Sequence, residues 1–138
     1  MGSPKSSGRL IDVVCLVLVD QRNHILATQR PDGGSLAGKW EFPGGKIENG
    51  EDQETALRRE LREELCIEVG DLSALSPVIH EYEFGTIRLW PFMSRCAEPP
   101  QLKLVAHADY FWATLAEIRS LGWAPADVPI LAELAELL

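Results

Sequence analysis

The sequence contains little cysteine and histidine. Its 138 residues include three cysteines and three histidines, with no Cys-x-x-Cys pair. These residues are widely spaced: Cys15, Cys66, Cys96, His24, His80 and His107. The spacing excludes the usual zinc modules and a disulfide framework. We therefore expect free thiols in a reducing compartment.

The sequence also lacks a long apolar run. No stretch approaches the roughly 20 apolar residues that a membrane-spanning helix needs. The first residues are small and polar, without the apolar segment of a signal peptide. We therefore expect a cytoplasmic protein with no membrane partner.

Positive charge is scarce, with 13 Lys and Arg against 21 Asp and Glu, for a net charge of −8. A protein that binds polymeric nucleic acid normally presents a basic surface, so this class is disfavoured. A nucleotide substrate stays compatible, because a metal ion can supply positive charge. The length and a hydrophobic fraction of 46% suit one compact domain. We expect residues 1–9 to be a disordered tail and residues 10–138 to form that domain.

The most informative segment is a charged helix predicted over residues 52–65. Helical spacing places three leucines on one apolar arc: Leu57, Leu61 and Leu65. Beside that arc, Glu60, Glu63 and Glu64 share a face on which most of the acidic charge is separated from the arginines. Like charges so spaced repel by a few tenths of a kcal/mol per pair, which favours a bound cation. Mg²⁺ or Mn²⁺ would suit these oxygen ligands. The alternative is a solvated acidic face in which Arg59 pairs with Glu63.

Around this helix the sequence predicts strands and helices without regular alternation. Apolar and β-branched segments predict strands, and a capping-box pattern and a proline predict late helices. The expected strands are 10–19, 25–29, 40–42, a hairpin of 78–84 and 86–96 that turns near Gly85, and 109–113. A short helix is expected to start near Thr114, and the last helix is expected to start near Pro129. The glycine-rich segment 43–50 is expected to be a loop.

The spacing of the helix and its preceding loop resembles the signature of the Nudix hydrolases. Five residues separate Gly45 from Glu51, and seven separate Glu51 from Arg59-Glu60-Leu61. One residue separates that group from Glu63-Glu64, and one more separates Glu63-Glu64 from Cys66-Ile67. The family carries glycine where this chain has Cys66. Because glycine ends helices cheaply in the left-handed conformation, we expect this helix to end slightly differently.

Further segments resemble the MutT branch of that family, from about Leu10 onward. They include Ala27 to Pro31, Gly38 to Lys46, His80 to Phe84 and Ala124 to Pro129. The resemblance implies an α/β fold, an α/β/α sandwich around a mixed β-sheet. It also implies an enzyme that cleaves nucleoside triphosphates to monophosphate and pyrophosphate and so cleans the nucleotide pool. We expect a monomer or weak dimer. The branch includes enzymes for 8-oxo-dGTP and for CTP or methyl-dCTP, and the choice between them stays open.

The resemblance also implies roles for individual residues. The Gly44 carbonyl and the carboxylates of Glu60, Glu63 and Glu64 would bind Mg²⁺, with Mn²⁺ as an alternative. Glu60 and Glu63 would be catalytic with Arg59, which would hold the carboxylates together with Glu51, and Glu60 is the candidate general base. The expected substrate contacts are Arg30 and Lys46 on the phosphates, Phe42 on the base, and Asp127 on the base edge.

Several of these assignments have simpler alternatives. Arg30 is equally compatible with a surface cation, Phe42 with a core residue, and Asp127 with a helix N-cap. An ionised Asp127 would only accept hydrogen bonds, whereas a protonated one would also donate. Ala106 stands where the branch often carries a glutamate, so His107 or Asp109 would have to replace it, or the signature segment alone would suffice.

Two other functions stay open from the sequence. One is an enzyme acting on another diphosphate, such as ADP-ribose or a dinucleoside polyphosphate. The other is a nucleotide-binding module without catalysis, suggested only by Ala106 and Cys66. The three clustered carboxylates favour catalysis, because a module that only binds has little need to keep them.

Overall fold

The computed structural model describes residues 9–138, so the tail expected at residues 1–9 lies almost wholly outside the described residues. The strands are β1 (Leu10–Val19), β2 (Ile25–Gln29), β3 (Trp40–Glu41), β4 (Gly44–Lys46), β5 (Ser73–Ala74), β6 (Val78–Tyr82), β7 (Gly85–Arg95) and β8 (Asp109–Ala113). The helices are α1 (Gln53–Leu65), α2 (Leu115–Ile118) and α3 (Val128–Leu137), with a turn of 3₁₀ helix at Pro125–Asp127. In this described part, no helix is long and apolar enough to cross a membrane.

All eight strands join one mixed sheet. Its main path runs β3-β2-β1-β7-β5, and β4, β6 and β8 pair with β1, β7 and β2 respectively. The central pair, β1 and β7, is parallel over ten positions, from Leu10 opposite Thr86 to Val19 opposite Arg95. The other pairings are antiparallel. A parallel central pair explains the near-continuous apolar sequence of β1, because both of its faces must be covered.

The side chains of β1 alternate between two hydrophobic cores, one on each face of the sheet. Val14, Leu16 and Leu18 pack with the leucines of α1. Cys15, Val17 and Val19 face the opposite core, which includes Ile118 of α2 and Ile130, Leu131 and Leu134 of α3. The sheet is therefore covered by α1 on one face and by α2 and α3 on the other, which confirms the predicted sandwich.

Helix α1 has a defined residue at each end. The Asp52 carboxylate accepts the Thr55 backbone N–H at 2.8 Å, as an N-cap does. Cys66 ends the helix in the left-handed conformation at φ 59°, and its N–H donates to the Leu61 carbonyl. The expectation that cysteine would change this helix end was wrong. The chain keeps the conformation that glycine favours and accepts its steric cost.

Strand β5 (Ser73–Ala74) and the 3₁₀ turn at Pro125–Asp127 were not predicted, and two further departures fall at glycines. The segment expected to be a loop at residues 43–50 contains strand β4, because Gly44 and Gly45 pair with Cys15 and Val14. The hairpin turn falls on Glu83 and Phe84, immediately before Gly85, which begins β7. At β4 the close approach of the Gly44 backbone to β1 decides the result.

Candidate active site

Strand β4 passes close to its neighbours at two glycines. A Cβ atom on Gly44 would lie 2.7 Å from the Cα of Cys15, and one on Gly45 would collide with the carboxylate of Glu60. The first restriction keeps β4 against β1, and the second leaves room for Glu60 beside the β4 backbone. The two glycines therefore form a cradle that receives a carboxylate of α1.

Arg59 connects several carboxylates near this cradle. Its guanidinium donates to both Glu51 oxygens, from Nε at 2.6 Å and from Nη2 at 2.9 Å. Nη1 donates to Glu60 at 3.1 Å and to Glu63 at 3.2 Å, and Nη2 also donates to the Lys46 carbonyl at 3.1 Å. The Arg59 guanidinium lowers the pKa of Glu51 to about 2.

These contacts modify the picture drawn from helical spacing. Arg59 lies against Glu60 and Glu63, so the acidic face is less separated from positive charge than expected. The Arg59–Glu63 pair of the alternative interpretation is present, and the Glu63 side chain is 59% exposed. Glu64 makes no ion pair with Arg59; its carboxylate faces His107 instead. The three glutamates therefore occupy different surroundings.

Glu64 is partly buried, with its side chain 26% exposed. Burial is the main cause that raises its pKa, to about 7, and the nearby Glu60 and Glu41 carboxylates raise it further. His107 opposes this shift, with Nε2 4.0 Å from Glu64 Oε1 and 3.2 Å from Glu41 Oε2. A carboxyl group with a strongly shifted pKa in a cleft is typical of a functional site.

His107 is positioned by a loop that three backbone hydrogen bonds hold in place. Lys103 and Val105 donate to the carbonyls of Leu65 and Glu64 at the end of α1, and Ala108 donates to Gln29 of β2. The imidazole is only 3% exposed, and its Nδ1 atom has no partner among the described residues. Asp109, by contrast, is exposed and accepts the Tyr110 N–H. Of the two candidates to replace the glutamate absent at Ala106, His107 is the one near the carboxylates.

A cleft of about 620 Å³ opens beside these groups. Seven of the residues predicted for the site line it: Arg30, Phe42, Gly44, Lys46, Glu60, Glu64 and Asp127. Arg59 and Glu63 do not line it. Its further lining residues include Glu41, Tyr82 and Phe84, for which no site role was predicted, and His107, a candidate replacement for the glutamate absent at Ala106. The cleft volume lies in the range of small-molecule sites.

Asp127 is a buried polar residue that lines this cleft. It occupies the N-cap position of α3 but makes no capping hydrogen bond there. Instead, its Oδ2 atom accepts the backbone N–H of Phe42 at 2.8 Å. Burial raises the pKa of this carboxyl group to about 8, with a smaller upward contribution from Glu41. At pH 7 it is therefore mostly a neutral acid that can both donate and accept.

Arg30 and Phe42 differ in how much surface they leave free. Arg30 Nη1 donates to Glu41 at 3.3 Å, while its Nε atom is buried without a partner among residues 9–138. Phe42 is only 2% exposed and packs against Trp123, with ring centroids 4.7 Å apart. Phe42 is thus a core residue that borders the cleft, which was the simpler of the two interpretations of this residue.

The carboxylate oxygens in the cleft supply part of the ligands that a hard divalent cation needs. The Glu60 and Glu64 carboxylates line the cleft beside Gly44 and Gly45, and carboxylate oxygens are the ligands that Mg²⁺ prefers. In the described residues, no three Asp, Glu, His or Cys side chains already form a metal cage. Glu63 would have to exchange its contact with Arg59 to join Glu60 and Glu64.

Comparison with known proteins identifies the family. The model of the NUDIX domain matches residues 14–133. An 8-oxo-dGTP diphosphatase of Escherichia coli is 33% identical over 122 residues, which cover 88% of this chain and 93% of that protein. A CTP pyrophosphohydrolase of Escherichia coli is 36% identical over 129 residues, which cover 89% and 90%.

Solved structures agree with these relatives. The solution structure of the E. coli ORF135 protein has a TM-score of 0.80 at 34% identity, and the match covers 98% of this chain and 95% of that one. A MutT protein from Methanosarcina mazei shares the fold with a TM-score of 0.80 at 22% identity. The mixed sheet between helices and these structural matches define a Nudix-type α/β protein. The chain belongs to the Nudix hydrolase family and is an enzyme of that family.

Proposed function

We propose that the protein hydrolyses nucleoside triphosphates to a nucleoside monophosphate and pyrophosphate. The observation that carries this proposal is the single cleft lined both by Asp127 and by the carboxylates of Glu60 and Glu64. A neutral acid suits a base edge, and the glutamates suit a metal ion bound to phosphates. The role would be cleaning of the cytoplasmic nucleotide pool.

The residues in and beside the cleft have different expected roles. Arg30 and Lys46 would bind the phosphates, since both line the cleft and carry positive charge. Glu60 would hold the attacking water, and Arg59 would fix Glu60 through its 3.1 Å hydrogen bond. Mg²⁺ or Mn²⁺, when bound, would neutralise phosphate charge and activate water. Arg59 and Glu51 therefore act as positioning residues.

Two substrate classes are supported for this cleft. Relatives with similar coverage are named 8-oxo-dGTP diphosphatase and CTP pyrophosphohydrolase. A neutral Asp127 can pair with either base edge, because it offers both a donor and an acceptor. We infer that the substrate is 8-oxo-dGTP or a CTP or dCTP-type nucleotide.

The first test is pyrophosphate release with Mg²⁺ from 8-oxo-dGTP, dGTP, CTP, dCTP, 5-methyl-dCTP and ADP-ribose. Preference for 8-oxo-dGTP would make the protein an enzyme of mutation avoidance, and preference for cytosine nucleotides would make it a CTP-type enzyme. Release of a sugar phosphate from ADP-ribose alone would contradict the proposal. Nucleotide binding without turnover would favour the non-catalytic module.

A substitution tests the role of the carboxylates. Glu60→Gln is expected to lower kcat by about 100-fold or more, because the amide loses the charge that holds metal and water. Glu54→Gln is the matched control, since Glu54 is an exposed residue of the same helix. Retention of kcat within a few-fold in Glu60→Gln would show that the assigned cluster is wrong.

A further inference from the structure

Arg30 lines the cleft with part of its hydrogen-bonding capacity unused. Among the described residues its guanidinium makes one hydrogen bond, from Nη1 to Glu41 Oε1 at 3.3 Å. Its Nε atom is buried and has no partner in that part of the chain. An arginine that binds a carboxylate strongly donates to both oxygens side by side. The single contact with Glu41 therefore leaves donors of Arg30 available to a ligand.

The carboxylate of Glu41 is held from two sides. Its Oε1 atom accepts from Arg30, and its Oε2 atom lies 3.2 Å from His107 Nε2. Because an ionised carboxylate only accepts hydrogen bonds, the Nε2 atom carries the hydrogen of this contact. The His107 side chain is 3% exposed and that of Glu41 is 19% exposed, so water has little access to the pair. The two oxygens of Glu41 are thus divided between an arginine and a histidine.

His107 is fixed in place and has Glu41 as its direct partner. The loop that carries it is hydrogen bonded to α1 and β2, so the imidazole has little freedom to follow a moving carboxylate. Its Nε2 atom is 4.0 Å from Glu64 Oε1, which is too long for a hydrogen bond. The backbone of Glu41 is also fixed, because its carbonyl accepts the Thr28 hydroxyl at 3.0 Å. Rotation of the Glu41 carboxylate is therefore the motion that His107 restrains.

We propose that His107 is a positioning residue that holds Glu41 in a single contact with Arg30 and so keeps Arg30 available to substrate phosphate. Without His107 the second oxygen of Glu41 would be free, and Arg30 would engage both oxygens. That bidentate pair would neutralise the guanidinium and draw it away from a phosphate. The inference rests on the proposed function, since it assumes a nucleotide phosphate as the ligand of Arg30.

The test compares His107→Leu with His107→Gln, each made with and without Glu41→Gln. Leucine removes the donor, whereas the glutamine amide donates from near the position of Nε2. Glu41→Gln removes the charge that would capture Arg30, so loss of His107 should then matter little. The matched control is His24→Leu, because His24 also contacts a carboxylate, that of Asp20 at 3.3 Å, and does not line the cleft. His107→Phe, which keeps a ring in the buried space, replaces His107→Leu if that variant does not fold.

The readouts are kcat and KM for pyrophosphate release, inhibition by pyrophosphate and by the nucleoside monophosphate, and the melting temperature. His107→Leu is expected to raise KM and weaken inhibition by at least one of these products by about tenfold, the scale of one charge-assisted hydrogen bond. Its kcat should stay within about threefold, because Arg30 binds phosphate in the ground state and in the transition state alike. His107→Gln should recover most of the affinity. In the Glu41→Gln background His107→Leu should change KM by no more than about twofold, because the two residues act as one unit.

A purely structural role for His107 predicts a different set of results. The losses would then be additive in the two backgrounds, glutamine would not restore affinity, and the kinetic change would follow the melting temperature. That set would overturn the inference, as would unchanged product inhibition in His107→Leu or the same loss in His24→Leu.

Failure of the proposed function is a separate result, seen as a wild type that hydrolyses no nucleotide. Calorimetric titration with pyrophosphate and with the nucleoside monophosphate then tests the inference on binding alone. Weaker binding by His107→Leu that Glu41→Gln suppresses would still support His107 as the positioning residue. Equal binding by wild type and His107→Leu, or no binding by the wild type, would reject it.

Discussion

The environment of Asp127 sets its protonation state. The carboxyl group is buried beside the cleft, next to Glu41, Arg30 and Tyr82, and burial is the main cause of its raised pKa of about 8. The free acid can donate one hydrogen bond and accept others, whereas the ionised form can only accept. Ligand binding through this residue should therefore depend on pH.

We predict that affinity for the nucleoside monophosphate falls by roughly tenfold between pH 7 and pH 9, as an acid of pKa about 8 ionises. Asp127→Asn should remove this dependence, because the amide donates and accepts at every pH and can still accept from Phe42. The measurement is the dissociation constant across that range, which avoids the pH dependence of the chemical step. Parallel pH profiles in the two proteins would contradict the prediction.

The raised pKa of Asp127 also makes the free energy of unfolding depend on pH. Between about pH 4 and pH 8 the folded protein holds a proton on Asp127 that the unfolded chain has lost. The folded state therefore binds more protons, and this residue's contribution to the free energy of unfolding decreases as pH rises through that window. Asp127→Asn should weaken that decrease.

Individual site residues were predictable where a local pattern contains them. Seven predicted residues line one cleft, because the signature fixes their positions on β4 and α1 or the branch resemblance extends to them. Glu41 had no predicted site role, and the sequence did not decide between His107 and Asp109, because backbone hydrogen bonds to α1 and β2 position the loop that carries His107. The Glu63 contact with Arg59 was foreseen only in the alternative interpretation, because helical spacing does not determine side-chain pairing.

Among the elements, α1 is the one that carries most of the candidate site. Its leucines face the sheet, and its phase then directs Glu60 and Glu64 toward the glycine cradle. Strong periodicity made this helix predictable, whereas the structure shows that Asp52 is its N-cap. Strand β4 was not predictable, because three residues with two glycines carry no strand pattern and depend on pairing with β1.

The end of α1 gives a prediction for stability. Cys66→Gly is expected to raise the free energy of unfolding by about 1 kcal/mol, because glycine adopts the left-handed conformation without the steric cost that cysteine bears. Cys66 is exposed, so little packing is lost. Thermal unfolding should show an increase of roughly 2–6 °C. Cys66→Ala is the control and should give no such gain; equal melting temperatures for the Gly and Ala variants would refute this explanation.

At the scale of the whole molecule, negative charge is both abundant and concentrated at the candidate site. The net charge is −8, and Glu41, Glu60 and Glu64 line the same cleft. Mutual repulsion raises the pKa of Glu64 along with burial, so the folded state is under electrostatic stress there. A divalent cation that binds these oxygens would relieve this repulsion and stabilise the fold by linkage.

We therefore predict that Mg²⁺ stabilises the protein even without substrate. At a hundredfold excess over its Kd, one bound ion adds about 2.7 kcal/mol, or roughly 10 °C in Tm for a domain of this size. NaCl at equal ionic strength should give a much smaller increase, because it only screens charge. Glu60→Gln and Glu64→Gln should each reduce the Mg²⁺ effect, while Glu54→Gln should keep it. If all three variants respond to Mg²⁺ as the wild type does, the ion acts elsewhere, and the carboxylates of the cleft are not its ligands.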